Sequence, residues 1–120
     1  MGTFRHPAAV VRSLAIRNEA RALHVRPRGD WLTVWCEYNE RLLAVRARRP
    51  FPTVVFDLPD EAYRAAVGRC CERLGLDGAG ADLFFEPLLR ANAVASDTPI
   101  EGIDADRAER LYARLREVAS

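Results

Sequence analysis

Lysine is absent from this chain of 120 residues, and all 18 basic residues are arginines. Histidine and cysteine are scarce: there are two histidines and three cysteines, with no CxxC or HxxxH spacing. This argues against a zinc site, and we expect neither a metal ion nor another cofactor. An odd number of cysteines, together with an N-terminus that lacks an apolar signal core, is typical of a reducing compartment, which predicts a cytoplasmic protein.

Long apolar runs are missing as well, so the sequence predicts no membrane span. The composition, with 49% hydrophobic and 29% charged residues, is that of a folded protein, and residues 1–120 are expected to form a single domain. The exclusive use of arginine fits a GC-rich, bacterial genome. It is therefore not interpreted as selection for phosphate recognition.

Charge is distributed unevenly along the chain. Residues 1–50 contain ten arginines and four acidic residues, whereas residues 51–120 contain eight arginines and thirteen acidic residues. Such a division favours a bipolar surface, suited to self-association or to an oppositely charged partner. Alternatively, the two halves fold over each other and their charges cancel. The sequence leaves both possibilities open.

Three segments have the apolar spacing of helices, with apolar residues every three or four positions. These helices are predicted near 7–18, 59–74 and 105–118. Asp57 is expected to cap the second helix and Asp104 the third, because a short carboxylate can accept the first unpaired backbone N–H groups.

The segment 21–47 alternates between apolar and polar residues, which predicts a three-stranded antiparallel meander with turns at 27–30 and 39–40. A short edge strand at 53–56 and a strand pair within 83–95 would enlarge the sheet to as many as five strands. The second half of that pair could instead be helical. The predicted fold class is therefore α+β, with an antiparallel sheet of three to five strands packed against about three helices.

Counting the register of the meander separates an apolar face from a mixed aromatic and arginine face. The residues of the second face chosen as a candidate binding site are Trp31, Trp35, Arg26, Arg46, Arg48 and Leu42. Tryptophan and arginine are enriched in the hot spots of protein interfaces, so this face predicts protein binding. Single-stranded nucleic acid is an alternative ligand, because its bases stack on aromatic rings. A third possibility is that a helix covers the tryptophans, which would then belong to the core.

No catalytic motif is present. Cys36 and His24 are the residues that a small enzyme would use, but the predicted register places them on opposite faces of the sheet. Ser13 and Ser96 have no histidine nearby in the sequence. The sequence therefore favours a non-enzymatic protein, with enzyme activity as the third-ranked hypothesis.

The order helix, three-stranded meander, helix, strand pair, helix resembles the small fold of type III secretion chaperones and YbjN-like proteins. The segments that carry the resemblance are Gly29–Tyr38, Arg41–Ala47, Pro59–Leu74, Leu88–Ala95 and Ala105–Val118. It implies a chaperone-like or adaptor-like module, commonly a homodimer, that holds an extended or partly unfolded segment of another protein. The expected partner is thus another protein or a second copy of the chain.

Overall fold

In a computed structural model of the chain, residues 1–20, 30–81, 95 and 97–119 are described, without the side chains of 18–20 and 81. Their elements are β1 (Gly2–Phe4), α1 (Pro7–Ala20), α2 (Trp31–Arg48), β2 (Thr53–Val55), α3 (Asp60–Arg73), α4 (Gly78–Ala81) and α5 (Ala105–Val118). None of the helices in these ranges is long and apolar enough to cross a membrane.

The predicted antiparallel sheet is wrong. Helix α2 occupies most of the predicted meander, and the expected turn at 39–40 lies in the middle of this helix. In the described ranges the sheet has two strands, β1 and β2, and they run parallel. The first strand of the meander, at 21–26, lies outside the described residues, as does the pair within 83–95 apart from residue 95.

Helix α2 forms because its first turn is capped and one side of it is buried. The Asp30 carboxylate accepts a hydrogen bond from the Leu32 backbone N–H at 2.7 Å, as an N-cap residue does. The residues that α2 buries recur at helical spacing: Leu32, Trp35, Cys36 and Asn39. Between 31 and 49 there is no glycine or proline to interrupt it.

The two strands pair in the register Gly2↔Thr53, Thr3↔Val54 and Phe4↔Val55. The Gly2 N–H donates to the Pro52 carbonyl at 2.9 Å, and the Phe56 N–H donates to the Phe4 carbonyl at 2.8 Å. A Cβ at position 2 would lie 2.8 Å from Cε2 of Phe51 and 3.1 Å from Cγ2 of Thr53, so glycine lets β1 approach β2 without displacing these side chains. All three β2 residues are buried and β-branched, which suits a strand in the interior.

The sheet separates two apolar clusters. On one side Phe4 and Val55 pack against α2 and α5, where the buried residues are Leu32, Trp35, Cys36, Ala108, Leu111, Tyr112 and Leu115. On the other side Val54 packs against Ala66 and Cys70 of α3. The first cluster is larger and joins four elements, whereas the second joins α3 to the sheet.

Helices α1, α3 and α5 lie where helices were predicted. The predicted cap of α3 is wrong, and the predicted cap of α5 is right in its position but wrong in its hydrogen bond. The N-cap position of α3 is Pro59. Asp57 instead accepts from the His6 backbone N–H at 2.6 Å and pairs with Arg5 at 3.5 Å. Asp104 does occupy the N-cap position of α5, yet its carboxylate makes no cap hydrogen bond and accepts from Oγ1 of Thr33.

Candidate binding groove

The residues of the predicted binding face lie on a helix rather than on neighbouring strands. Trp31, Leu42 and Arg46 are half-buried on the same side of α2 as the buried Trp35, whereas Arg48 is exposed. At 100° per residue, Arg48 points about 140° away from Trp35 around the helix axis. Arg26 lies outside the described residues. The structure therefore places four of the six predicted residues along one side of α2.

Trp35 lies in the larger core cluster. Its ring is 3% exposed, and it packs edge-on against Tyr112 at a centroid distance of 6.5 Å. The indole N–H donates to the Arg5 carbonyl at 3.2 Å, directly after β1. Trp35 thus fixes the position of β1 beside α2.

A groove of about 280 Å³ opens between β1, α1 and α2. We call it the β1 groove, and its lining residues are Thr3, Phe4, Arg5, Val10, Leu14, Val34, Trp35, Tyr38 and Asn39. Most of these side chains are apolar. An apolar concavity of this kind is a candidate binding site.

An exposed apolar stripe continues from the β1 groove along α2. Val34, Tyr38 and Val45 recur on one side of the helix, at spacings of four and seven residues, with the exposed Arg41 between the last two. Val34 is half-buried. Tyr38 is 67% exposed and Val45 is 54% exposed. The sequence reasoning missed these residues, because the register of the predicted meander assigned Val34 and Val45 to its apolar, core-facing side, whereas both lie on helix α2.

Helix α1 also has apolar residues on sides that are not fully buried. In its first ten residues only Arg12 and Ser13 are polar, and apolar residues lie on every side. A helix that is apolar all round is normally buried on all sides. Yet Ile16 is 55% exposed, and Val10 and Leu14 are only half-buried along the groove.

Thr3 lies on the edge of β1 that is turned away from β2, and no strand among the described residues pairs with this edge. Gly2 and Phe4 direct their backbone groups toward β2, as their hydrogen bonds show. Because the direction alternates along a strand, the N–H and C=O of Thr3 point the other way. Thr3 is exposed and lines the groove, so these groups are available to an added strand.

Asn39 contributes a buried polar group to the lining. Its Nδ2 donates to the Trp35 carbonyl at 2.8 Å, whereas its Oδ1 has no hydrogen-bond donor in the described part of the chain. The residue is 4% exposed. A buried acceptor without a donor is unfavourable by about 1–3 kcal/mol, which a ligand that supplies an N–H would recover.

The other polar contacts of α2 tie it to α5. Arg107 donates to both carboxylate oxygens of Glu40, at 2.8 and 2.7 Å, and this hydrogen bonding lowers the pKa of Glu40. Cys36 lies beneath this pair and is fully buried, and burial raises the pKa of its thiol. A raised pKa keeps the thiol protonated, which makes it a poor nucleophile.

A larger depression, of about 560 Å³, lies between α3 and α4. It is lined by both acidic and basic side chains, among them Glu61, Arg64, Arg69 and Glu72. Glu61 and Arg64 are three residues apart on α3, as are Arg69 and Glu72, so each acidic side chain has a basic neighbour along this wall. The depression therefore lacks the apolar lining that distinguishes the β1 groove.

Comparison with protein-family models, with curated proteins and with solved structures finds no match to this chain. A proposal about function therefore rests on the geometry of the β1 groove.

Proposed function

We propose that this chain is a non-enzymatic, adaptor-like or chaperone-like domain that binds a segment of another protein in the β1 groove. The observation that carries the proposal is the exposed apolar stripe beside the groove, where Tyr38 is two-thirds exposed. Large exposed apolar side chains that continue from a groove mark interaction surfaces. The partner supplies the apolar contacts that α1 and α2 lack.

The chemistry of the site favours protein over nucleic acid and over catalysis. Single-stranded nucleic acid is bound by several exposed rings on which successive bases stack, whereas Phe4 and Trp35 of the groove lining are buried and leave Tyr38 as its single exposed ring. Cys36, which sequence reasoning named as an enzyme's nucleophile, is inaccessible. An apolar groove bordered by an open strand edge suits a polypeptide.

The proposal is tested by selecting phage-displayed random peptides on the wild-type protein and measuring the affinity of the selected peptides for two variants. Tyr38→Glu places a charge on the apolar stripe and is expected to lower the affinity at least tenfold. Because Tyr38 is largely exposed, circular dichroism and thermal unfolding should match the wild type.

Ile103→Glu is the matched control, since Ile103 is an apolar residue that is 96% exposed and lies outside the groove. It should change the affinity less than twofold. Failure to enrich any peptide, or enrichment of peptides that bind both variants equally well, would overturn the proposal.

A further inference from the structure

We propose that the partner segment binds in the β1 groove as an added strand on the Thr3 edge, and that it is an extended segment with alternating apolar residues and acidic residues at its ends. This rests on the proposed function and specifies the chemistry of the ligand. A second copy of the chain and a helical segment are the competing occupants.

The backbone of β1 offers an edge for a further strand. The sheet of the described residues has two parallel strands, whereas parallel strands are usually found in larger, covered sheets. The N–H and C=O of Thr3 point away from β2 toward the groove, where an added strand would bond to both. Two residues after Thr3, the Arg5 carbonyl already accepts a hydrogen bond from the indole N–H of Trp35. The indole therefore marks one end of the open edge.

The buried acceptor of Asn39 also favours an extended ligand. Its Oδ1 is unpaired among the described residues, and Asn39 lines the same groove. An extended peptide carries N–H groups that alternate in direction, so a segment paired with Thr3 also presents donors toward α2. A helical ligand would use its N–H groups internally and leave Oδ1 without a donor.

Two arginines, Arg17 and Arg41, give the rim of the β1 groove a positive charge. Arg17 follows Val10 and Leu14 at helical spacing on α1, and Arg41 follows Val34 and Tyr38 on α2. Both arginines are exposed, and neither forms an ion pair with a described residue. Glu37 lies on the side of Arg41 that faces away from the groove. A segment with acidic residues at its ends complements this rim.

The test uses a synthetic seven-residue peptide of alternating valine and threonine with a glutamate at each end, titrated into the full chain. Two further peptides carry one N-methyl group each, on adjacent central residues. Because the N–H groups of a strand alternate in direction, one methyl group should lower the affinity at least tenfold and the other less than twofold. Binding should also slow hydrogen exchange of the Thr3 amide at least tenfold, as followed by NMR.

Charge is tested by a swap. Arg41→Glu should lower the affinity for the glutamate-ended peptide at least fivefold and raise the affinity for a lysine-ended version. Arg114→Glu, an exposed arginine on α5 outside the groove, is the matched control and should leave both affinities within twofold of the wild type. Asn39→Leu should lower the affinity for both peptides while the protein stays folded.

Two outcomes would overturn strand addition while the proposed function stands. The selected peptides could bind in the groove while the alternating peptide does not. Both N-methyl peptides could bind as well as the parent, with Thr3 exchange unchanged. Slower exchange at Thr3 with rising protein concentration in the absence of peptide would identify a second copy as the occupant, and would overturn both this inference and the proposed binding of another protein. Failure of every selected peptide would overturn the proposed function itself.

Discussion

His6 shows how one residue joins several elements. It is fully buried, its Nδ1 accepts from the Ala8 backbone N–H at 3.1 Å, and its ring packs edge-on against Tyr112 at 4.9 Å. Since Nδ1 is an acceptor, the neutral ring carries its proton on Nε2. His6 thereby satisfies one of the unpaired N–H groups in the first turn of α1.

Burial lowers the pKa of His6 below its ordinary value of 6.5, and the nearby carboxylate of Asp57 opposes this only in part. Below pH 6.5 the unfolded chain therefore binds a proton at His6 that the folded chain does not. We expect the free energy of unfolding to fall as the pH is lowered from 6.5 toward the lowered pKa of the folded state.

His6→Asn tests whether His6 causes this loss of stability at low pH, because asparagine retains an acceptor for the Ala8 N–H but does not titrate. Urea unfolding midpoints measured at several pH values between 7.5 and 5 should fall more steeply for the wild type than for the variant. Parallel pH profiles would show that other groups cause the acid sensitivity.

At the scale of elements, α2 is where sequence reasoning and structure diverge most. Residues 31–38 alternate like a strand, but the buried set Leu32, Trp35, Cys36 and Asn39 fits the helical period equally well. A signal that could have decided the question is the uninterrupted length: an 18-residue helix without glycine or proline, preceded by Asp30. Asp30 and Asn39 were interpreted as turn residues, although the first caps the helix and the second lies within it.

Helices α1, α3 and α5 were predictable because amphipathic spacing is a local property of the sequence. Strand β1 was not, because three residues carry little strand signal and their partner is β2, 51 residues later in the chain. The β1 groove shares this difficulty. Its lining comes from β1, α1 and α2, so only their packing reveals that Thr3 and Tyr38 lie in one site.

Asp30 provides a test at this scale. Asp30→Ala removes the acceptor for the Leu32 N–H and is expected to lower the free energy of unfolding by about 1 kcal/mol. Asp30→Asn caps equally well and should stay within about 0.5 kcal/mol of the wild type, as measured by urea unfolding. Equal losses in the two variants would mean that the charge of Asp30, rather than its cap hydrogen bond, stabilises α2.

At the scale of the whole molecule, the two clusters on opposite sides of the sheet differ in size. The larger one joins α2, α5 and both strands, whereas the smaller one consists of Val54, Ala66 and Cys70 with a few half-buried neighbours. Regions with fewer buried apolar contacts open locally at lower free energy than the rest of a protein. Helix α3 should therefore detach from the sheet before the larger cluster opens.

The cysteines report on this difference, because Cys36 lies in the larger cluster and Cys70 in the smaller, and both are fully buried. In a Cys71→Ser background, a thiol reagent should label Cys70 at least tenfold faster than Cys36. Labelling of Cys36 should also accelerate more steeply with urea, because its exposure requires a larger opening. Identical rates and urea dependences would mean that both clusters open together.

The parallel pairing of β1 with β2 also bears on how the chain folds. Closing a segment of 51 residues to bring Gly2 to Thr53 carries an entropic cost on the order of 3.5 kcal/mol, whereas α2 and α5 form from local contacts. Such non-local pairing is expected after the rate-limiting step, so substitutions in β1 accelerate unfolding and leave the folding rate nearly unchanged. Strand β1, which borders the β1 groove, then pairs last during folding. A ligand bound in the groove therefore prolongs the lifetime of the native state.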